Sequence, residues 1–338
     1  MNWELYNISE IDLKWKDWDR LNGLYYNHHP YFDSRFIKPC VKYFGDKTIR
    51  LAQLKNENHE IVGMTLVKKR PLGTWTLFTV AQMQIVPILL NPKNRGGELK
   101  GLLKSLSGFC WRLECLYQDP DFTPFSMEDD KYTTRYYHCT TTSIELDQTF
   151  NEFWNERKKK LRQNIKRYFN RIEKTNMAIK FIKISQLEEL KNGLIRYGLL
   201  ESLGWKGKAG TAIHPDNTQG RFYNDVMQSF GLNGQAYIYE FYFKDELAAS
   251  RLCINNKEIN ITLKVTYNEN LKKFAPGKLL TYKMIEKEFE EKIHKRIEFY
   301  TNASKDQLDW SSAKRNIYHF EVHRNLIINK IVKFKNRK

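Results

Sequence analysis

The chain has 338 residues, of which 41% are hydrophobic and 28% charged; that supports ordinary packed cores and excludes a wholly disordered chain. The net charge of +17 favours anionic partners: nucleic acid, an anionic membrane surface or phosphate-bearing small ligands. The longest apolar stretch, Met83–Leu90, falls well short of the roughly 20 residues of a membrane span and contains Pro87, and at about 100–200 residues per domain the length suggests two domains.

The N-terminus, Met1-Asn2-Trp3-Glu4, has neither a basic nor an apolar stretch, so no secretory signal is expected. The five cysteines, Cys40, Cys110, Cys115, Cys139 and Cys253, are scattered and form no CxxC pair. That argues against a disulfide framework or a zinc site and for reduced, mostly buried thiols in a cytoplasmic protein. A lysine-rich surface serving only solubility would give the same charge.

In chain order, Ile11–Asn27 is expected to be helical, with Leu13, Trp18, Leu21 and Leu24 on one stripe and Pro30 ending it. Thr48–Leu54 and Glu60–Lys68 read as strands, and Trp75–Ile88 as apolar and β-rich. Glu98–Ser107 reads as a helix and Trp111–Tyr117 as a strand. A domain boundary is expected at 142/143, with Ser143–Leu146 a short strand. One long helix should start at Phe150, its apolar face formed by Leu161, Ile165, Phe169 and Ile172. Lys158, Lys159, Lys160, Arg162, Lys166, Arg167, Arg171 and Lys174 cover much of the rest. Then follow a strand (Ala178–Ile184), a helix (Ser185–Leu203), the loop Gly204–Gly210 and a helix (Arg221–Phe230). Three strands come next, Gln235–Phe243, Glu246–Asn255 and Glu258–Tyr267, joined by two-residue turns. A helix from Gly277 to Ile293 and a strand at Arg296–Tyr300 complete an α+β pattern.

Three segments have chemical potential. The first is the strand–loop–helix unit around Pro276-Gly277, where free N–H groups at a helix start, a glycine and Lys272, Lys273 and Lys278 would cradle a pyrophosphate. A plain helix start gives the same punctuation. The second is Gly204–Gly210, where Trp205 and Lys206 could cover or bind a ligand, or form a surface loop with Trp205 tucked inward. The third is the basic helix with Arg162 and Arg167. It reads first as a solvated face, second as help for a small phosphate ligand, and third as a polynucleotide site. No Walker, dinucleotide, Gly-x-Ser-x-Gly or His-Glu-x-x-His motif occurs. His28 and His29 read as structural, His319 and His323 as a possible pair on a helix face, and no metal is expected.

The second half resembles the BioF-like/CelD–BcsL group of GNAT-type acyltransferases, frequent in bacterial surface-polysaccharide gene clusters. Leu161-Arg162-Gln163-Asn164-Ile165-Lys166-Arg167 is similar to that family's basic RxNxRR helix. Glu201–Ile213 contains its W-[KR]-G signature as Trp205-Lys206-Gly207. Tyr267-Asn268 and Phe274-Ala275-Pro276-Gly277-Lys278-Leu279-Leu280 look like its "YD…PG-x-L-L" stretch, with Asn268 in place of the usual Asp. Phe299–Asp306 lacks the family's usual Tyr-Lys pair.

The resemblance implies two tandem GNAT-like modules, a divergent one over 1–142 and an acyltransferase module over 143–338. It also implies transfer of an acyl group, acetyl by default, from acyl-CoA to an amine such as that of an amino sugar or nucleotide-linked sugar. Pro276, Gly277, Lys278, Leu279 and Lys273 are then expected at the CoA pyrophosphate, with the N–H groups of Gly277, Lys278 and Leu279 as donors. Trp205, Lys206, Lys264, Arg162 and Arg167 are expected at the acceptor. In the strand ending at Tyr267, Ile259, Ile261, Leu263, Val265 and Tyr267 should form a core face. A strand N–H would stabilise the oxyanion. Glu240 is the first candidate general base, because a carboxylate in the aromatic strand Tyr237–Phe243 must be paired or used; the other reading pairs it with Arg251 across the hairpin. Asp309 is the second candidate, and Tyr267 completes the catalytic set. Two other readings stay open: Fem-like transfer from aminoacyl-tRNA, and a non-catalytic anion-binding module.

Overall fold

The computed structural model describes residues 1–92, 97–127, 131–204, 210, 212–214 and 216–325. The chain divides into one unit of Met1–Thr140 with the described residues from Arg315 onward, and a second of Thr141–Lys314. The expected single cut at 142/143 therefore differs at the far end, where the chain returns to the first unit.

One topology is used twice. In the first unit, β1 (Asn2–Asn7) is followed by helices α1 (Trp15–Tyr26) and α2 (Ser34–Phe44), then β2 (Ile49–Lys55), β3 (Ile61–Arg70) and β4 (Thr74–Leu77), helix α3 (Gly97–Ser105) and β5 (Arg112–Gln118). Neighbours β1 to β4 pair antiparallel, whereas β4 and β5 pair parallel over only three residues. β6 (Thr133–Glu145) carries the chain across the boundary. In the second unit, helices α4 (Phe150–Glu156) and α5 (Lys159–Glu173) precede β7 (Ile179–Ile184). Next come α6 (Leu187–Leu203), α7 (Thr218–Gly231), β8 (Ala236–Phe243), β9 (Glu246–Asn255) and β10 (Ile259–Tyr267). Helix α8 (Pro276–Glu291) and β11 (Arg296–Glu298) complete the pattern, and α9 (Lys305–Trp310) and β12 (Ala313–His323) follow. Strands β7, β8, β9 and β10 again pair antiparallel in order, and β10 and β11 again pair parallel over three residues. The fold is mixed α+β, with two like modules in tandem.

Local chemistry explains the departures from the sequence pattern. The long helix expected from Phe150 is two helices. Arg157 between them is extended and is held there by donating to the carbonyls of Phe153 and Ser311. The short strand expected at Ser143–Leu146 is the end of the 13-residue β6, whose Thr- and Tyr-rich first part has high strand propensity. Ile11–Lys14 belongs to a 3-10 turn ahead of α1, and only Thr74–Leu77 of the β-rich stretch forms a regular strand. All five cysteines are buried and free.

In the second unit α8 packs the face carrying Leu279, Leu280, Met284, Ile285 and Phe289 onto a core with Tyr239, Phe241, Phe243 and Ile297. The i, i+4 and i, i+5 spacing of these residues makes a helical stripe. Pro276 starts the helix at a position where a missing N–H costs nothing, and Ala275 precedes it in a left-handed conformation at φ 52°.

Candidate active site

β10 departs from the simple alternation expected of it. Between Thr262 and Lys264 its register with β9 shifts, so Leu263 is an extra residue with no partner there. A bulge of this kind turns every later side chain to the opposite face. Val265 and Tyr267, expected in the core, are consequently exposed, while Thr266 is buried. On its other edge β10 pairs with β11 only from Ile259 to Ile261. Beyond Ile261 that edge offers backbone groups with no strand partner in β11.

A cavity of about 700 Å³ opens at this place. β10 contributes Thr262 to Val265 and Tyr267; the start of α8 contributes Pro276, Gly277, Lys278 and Thr281; the segment after β11 contributes Phe299, Asp306 and Trp310. Lys272 and Arg251 also line it. The structure thus brings together Lys264, Tyr267, Lys272, Pro276, Gly277 and Lys278 from the expected set.

Fewer backbone donors are open at this helix start than the sequence suggested. The N–H groups of Lys278 and Leu279 both donate to the Ala275 carbonyl, at 3.0 and 3.2 Å, so they are not available to a phosphate. Pro276 has no N–H, which leaves Gly277 as the backbone donor at the helix start. Gly277 is helical rather than left-handed, and the nearest atoms a Cβ there would meet belong to Tyr267, at an ordinary contact distance of 3.5 Å or more. The absent side chain keeps the approach open and is not needed for backbone freedom. Leu279 is fully buried in the core. The Lys278 ammonium pairs with Asp306 at 2.6 Å. Of the two lysines expected beside it, Lys272 lines the cavity, whereas Lys273 lies over the Phe274 ring and does not.

Both candidate bases lie elsewhere. Glu240 is fully buried on the face of β8 opposite α8. Arg196 of α6 donates to it through Nε and Nη2 at 2.9 and 3.1 Å, and Tyr242 OH donates at 2.7 Å. Its partner is Arg196, not Arg251: the β8–β9 register sets Glu240 opposite Ser250 and Tyr239 opposite Arg251. Burial and this hydrogen bond push the Tyr242 phenol up to about 12. Asp309 lies on α9, which sequence reasoning missed, and holds Lys158 at 2.6 Å. Neither carboxylate lines the cavity.

Lys264 lines the cavity, yet its ammonium is directed at the Oε1 atoms of Gln219 (3.3 Å) and the buried Glu201 (3.6 Å). Glu201 also accepts from Ile213 N and Tyr197 OH, so it anchors the end of α6. Arg162 donates to the Arg157 carbonyl at 3.1 Å and Arg167 to Asn164 Oδ1 at 3.1 Å. Arg167 lies with Lys166, Arg171 and Lys174 along a separate basic groove on α5. Trp205 and Lys206 lie outside the described residues.

No histidine lines the cavity. His29 packs between Phe32 and Phe122, and burial lowers its pKa to about 3. His319 and His323 are on strand β12, not on a helix, and His319 stacks against His138. His294, without an evident partner in the sequence, lies 2.6 Å from Glu288. Burial alone would raise the Glu288 carboxyl, but His294, Lys183 and Tyr239 together bring it down to about 2. Among the described residues no group of three or more His, Cys, Asp or Glu is placed to hold a metal, and no helix is long and apolar enough to cross a membrane.

Comparison with known proteins finds the fold of this chain in others. Residues 159–307 match a family model described as an acetyltransferase (GNAT) domain. No curated protein matches the chain. A crystal structure of FemX is similar over 97% of this chain and 99% of that chain, with a TM-score of 0.59 at 10% identity. A conserved protein of unknown function from Bacteroides thetaiotaomicron VPI-5482 is similar over 86% of this chain and 90% of that chain, with a TM-score of 0.53 at 10% identity. At such identity the likeness is one of fold: a GNAT-like architecture along the chain, with the family match confined to the part that holds the cavity.

Proposed function

We propose that the second unit transfers an acyl group from acyl-CoA, acetyl-CoA being the simplest donor, to the amine of a small acceptor. An amino sugar or a nucleotide-linked sugar of a surface-polysaccharide pathway is the acceptor class this reading favours. The carrying observation is the cavity between the parted strands β10 and β11, walled by the start of α8 and by Lys272.

In this reading Gly277 N–H and Lys272 hold the CoA pyrophosphate at the helix start. Tyr267 packs beside them. It lies four residues from Leu263, roughly 13 Å along the strand, so it serves binding rather than chemistry. The free edge of β10 beyond Ile261 supplies backbone N–H groups for the thioester carbonyl, and these stabilise the oxyanion that forms when the amine attacks. The amine arrives neutral, and neither Glu240 nor Asp309 takes its proton.

A second reading rests on the basic groove of α5, lined by Lys166, Arg167, Arg171 and Lys174. Such a groove suits a polyanion, as transfer from aminoacyl-tRNA would need. Release of free thiol from acetyl-CoA in the presence of glucosamine or a nucleotide-linked amino sugar distinguishes the two. Amine-dependent release is expected. No release with any amine, together with ribonuclease-sensitive transfer from aminoacyl-tRNA, would replace the first reading with the second.

A further inference from the structure

We propose that Arg251 is a receptor for an anionic acyl group, so that the cavity takes an acyl-CoA whose acyl chain ends in a carboxylate. The inference rests on the acyl-CoA reading above and narrows its donor.

Arg251 is 5% exposed and lines the cavity from β9. Its guanidinium has five N–H donors and remains charged. Nη2 donates to Thr281 Oγ1 at 2.8 Å, Nη1 lies 3.8 Å from Met284 Sδ, and the buried Nε has no acceptor. The Phe299 ring lies 6.0 Å away. Among the described residues no carboxylate forms an ion pair with it. Other enclosed cations in this chain are paired: Arg315 has Asp119 at 2.7 Å and Lys183 has Glu288 at 3.1 Å. A buried charge without a counterion is unfavourable, and among the described residues Nε has no acceptor. A ligand carboxylate would supply both, in the fork geometry that guanidinium groups favour.

Arg251 is also in the right place. Its partner across the strands is Val265, two residues from the bulged Leu263. Thr281, which accepts from Arg251, donates to the Gly277 carbonyl at 2.8 Å, so the guanidinium stands about one helical turn beyond the cradle. A thioester lying between the cradle and the bulge therefore has Arg251 beside it. The reaction balances with no further reactant. The amine nitrogen bonds to the thioester carbon, the C–S bond breaks with its electron pair going to sulfur, and the amine proton ends on the CoA thiol.

The test compares succinyl-CoA, butyryl-CoA and CoA by calorimetric titration of the wild-type protein, Arg251→Met and Arg251→Lys. The two acyl chains match in length and differ at the terminal carboxylate. The wild type should favour succinyl-CoA over butyryl-CoA by on the order of tenfold or more. Arg251→Met should lose that preference and keep its affinity for butyryl-CoA and CoA, while Arg251→Lys should keep part of it. Equal wild-type affinities for the two acyl-CoAs would overturn the inference while leaving the acyl-CoA reading intact. So would an Arg251→Met loss shared equally by CoA, which would assign the guanidinium to the phosphates. If CoA itself does not bind the wild type, the acyl-CoA reading fails as well.

Discussion

Ile261 of β10 faces Glu298 of β11 in parallel register, and the pairing of these two strands ends there. Parallel strands joined through a helix normally continue side by side. Here the early end of the ladder and the bulge at Leu263 together expose one edge of β10 next to the start of α8. The consequences of that opening can be tested residue by residue.

Glu240 belongs to the framework. Its carboxylate is fully buried and held by Arg196 and Tyr242. Glu240→Gln removes the charge that Arg196 neutralises, and the expected cost is about 1–3 kcal/mol of folding stability. The pH dependence of turnover should be that of the wild type. Denaturant unfolding and a pH–rate profile check the two halves; a lost acidic limb, the rise in rate that accompanies deprotonation of a general base, would return Glu240 to a catalytic role.

Asp306 restrains the cradle. It pairs with Lys278 at 2.6 Å, both side chains partly exposed to solvent, and so neutralises a cation at the cavity wall. Asp306→Asn frees Lys278 for a phosphate. The variant should bind CoA several-fold more tightly at low ionic strength, with the gain shrinking as salt rises, since exposed charges are screened. Weaker binding at low salt would mean that Asp306 itself contacts the ligand.

The helix start at Pro276 was legible in the sequence because its signals are local. Pro276 at a helix start, Gly277 beside it and nearby lysines all act within one turn. What depended on register was not legible. Without a bulge in the β8–β9 hairpin, Arg251 would share the face of Glu240, and the expected pair across the hairpin would be within reach. The register shift between Phe241 and Tyr242 leaves Ala248 as an extra residue and turns Arg251 to the α8 face. One inserted residue thus separates the expected partners and puts into the cavity wall a guanidinium with no carboxylate partner among the described residues. Similarly, the bulge at Leu263 exposes Val265 and Tyr267, and Asp309 could not be placed without knowing that α9 folds back to Lys158. Bulges leave no reliable mark in an alternating sequence, so strand faces beyond them must come from the structure.

The most direct test of the central claim is the affinity of CoA and acetyl-CoA for the wild-type protein and for Gly277→Glu, titrated at moderate salt with a nucleic-acid control. A Cβ at position 277 has room beside Tyr267, so the variant should fold while placing a carboxylate where the pyrophosphate would lie. The account predicts micromolar binding to the wild type and a loss of at least about tenfold in the variant. Unchanged affinity in Gly277→Glu, or binding of nucleic acid and of no CoA species, would contradict it.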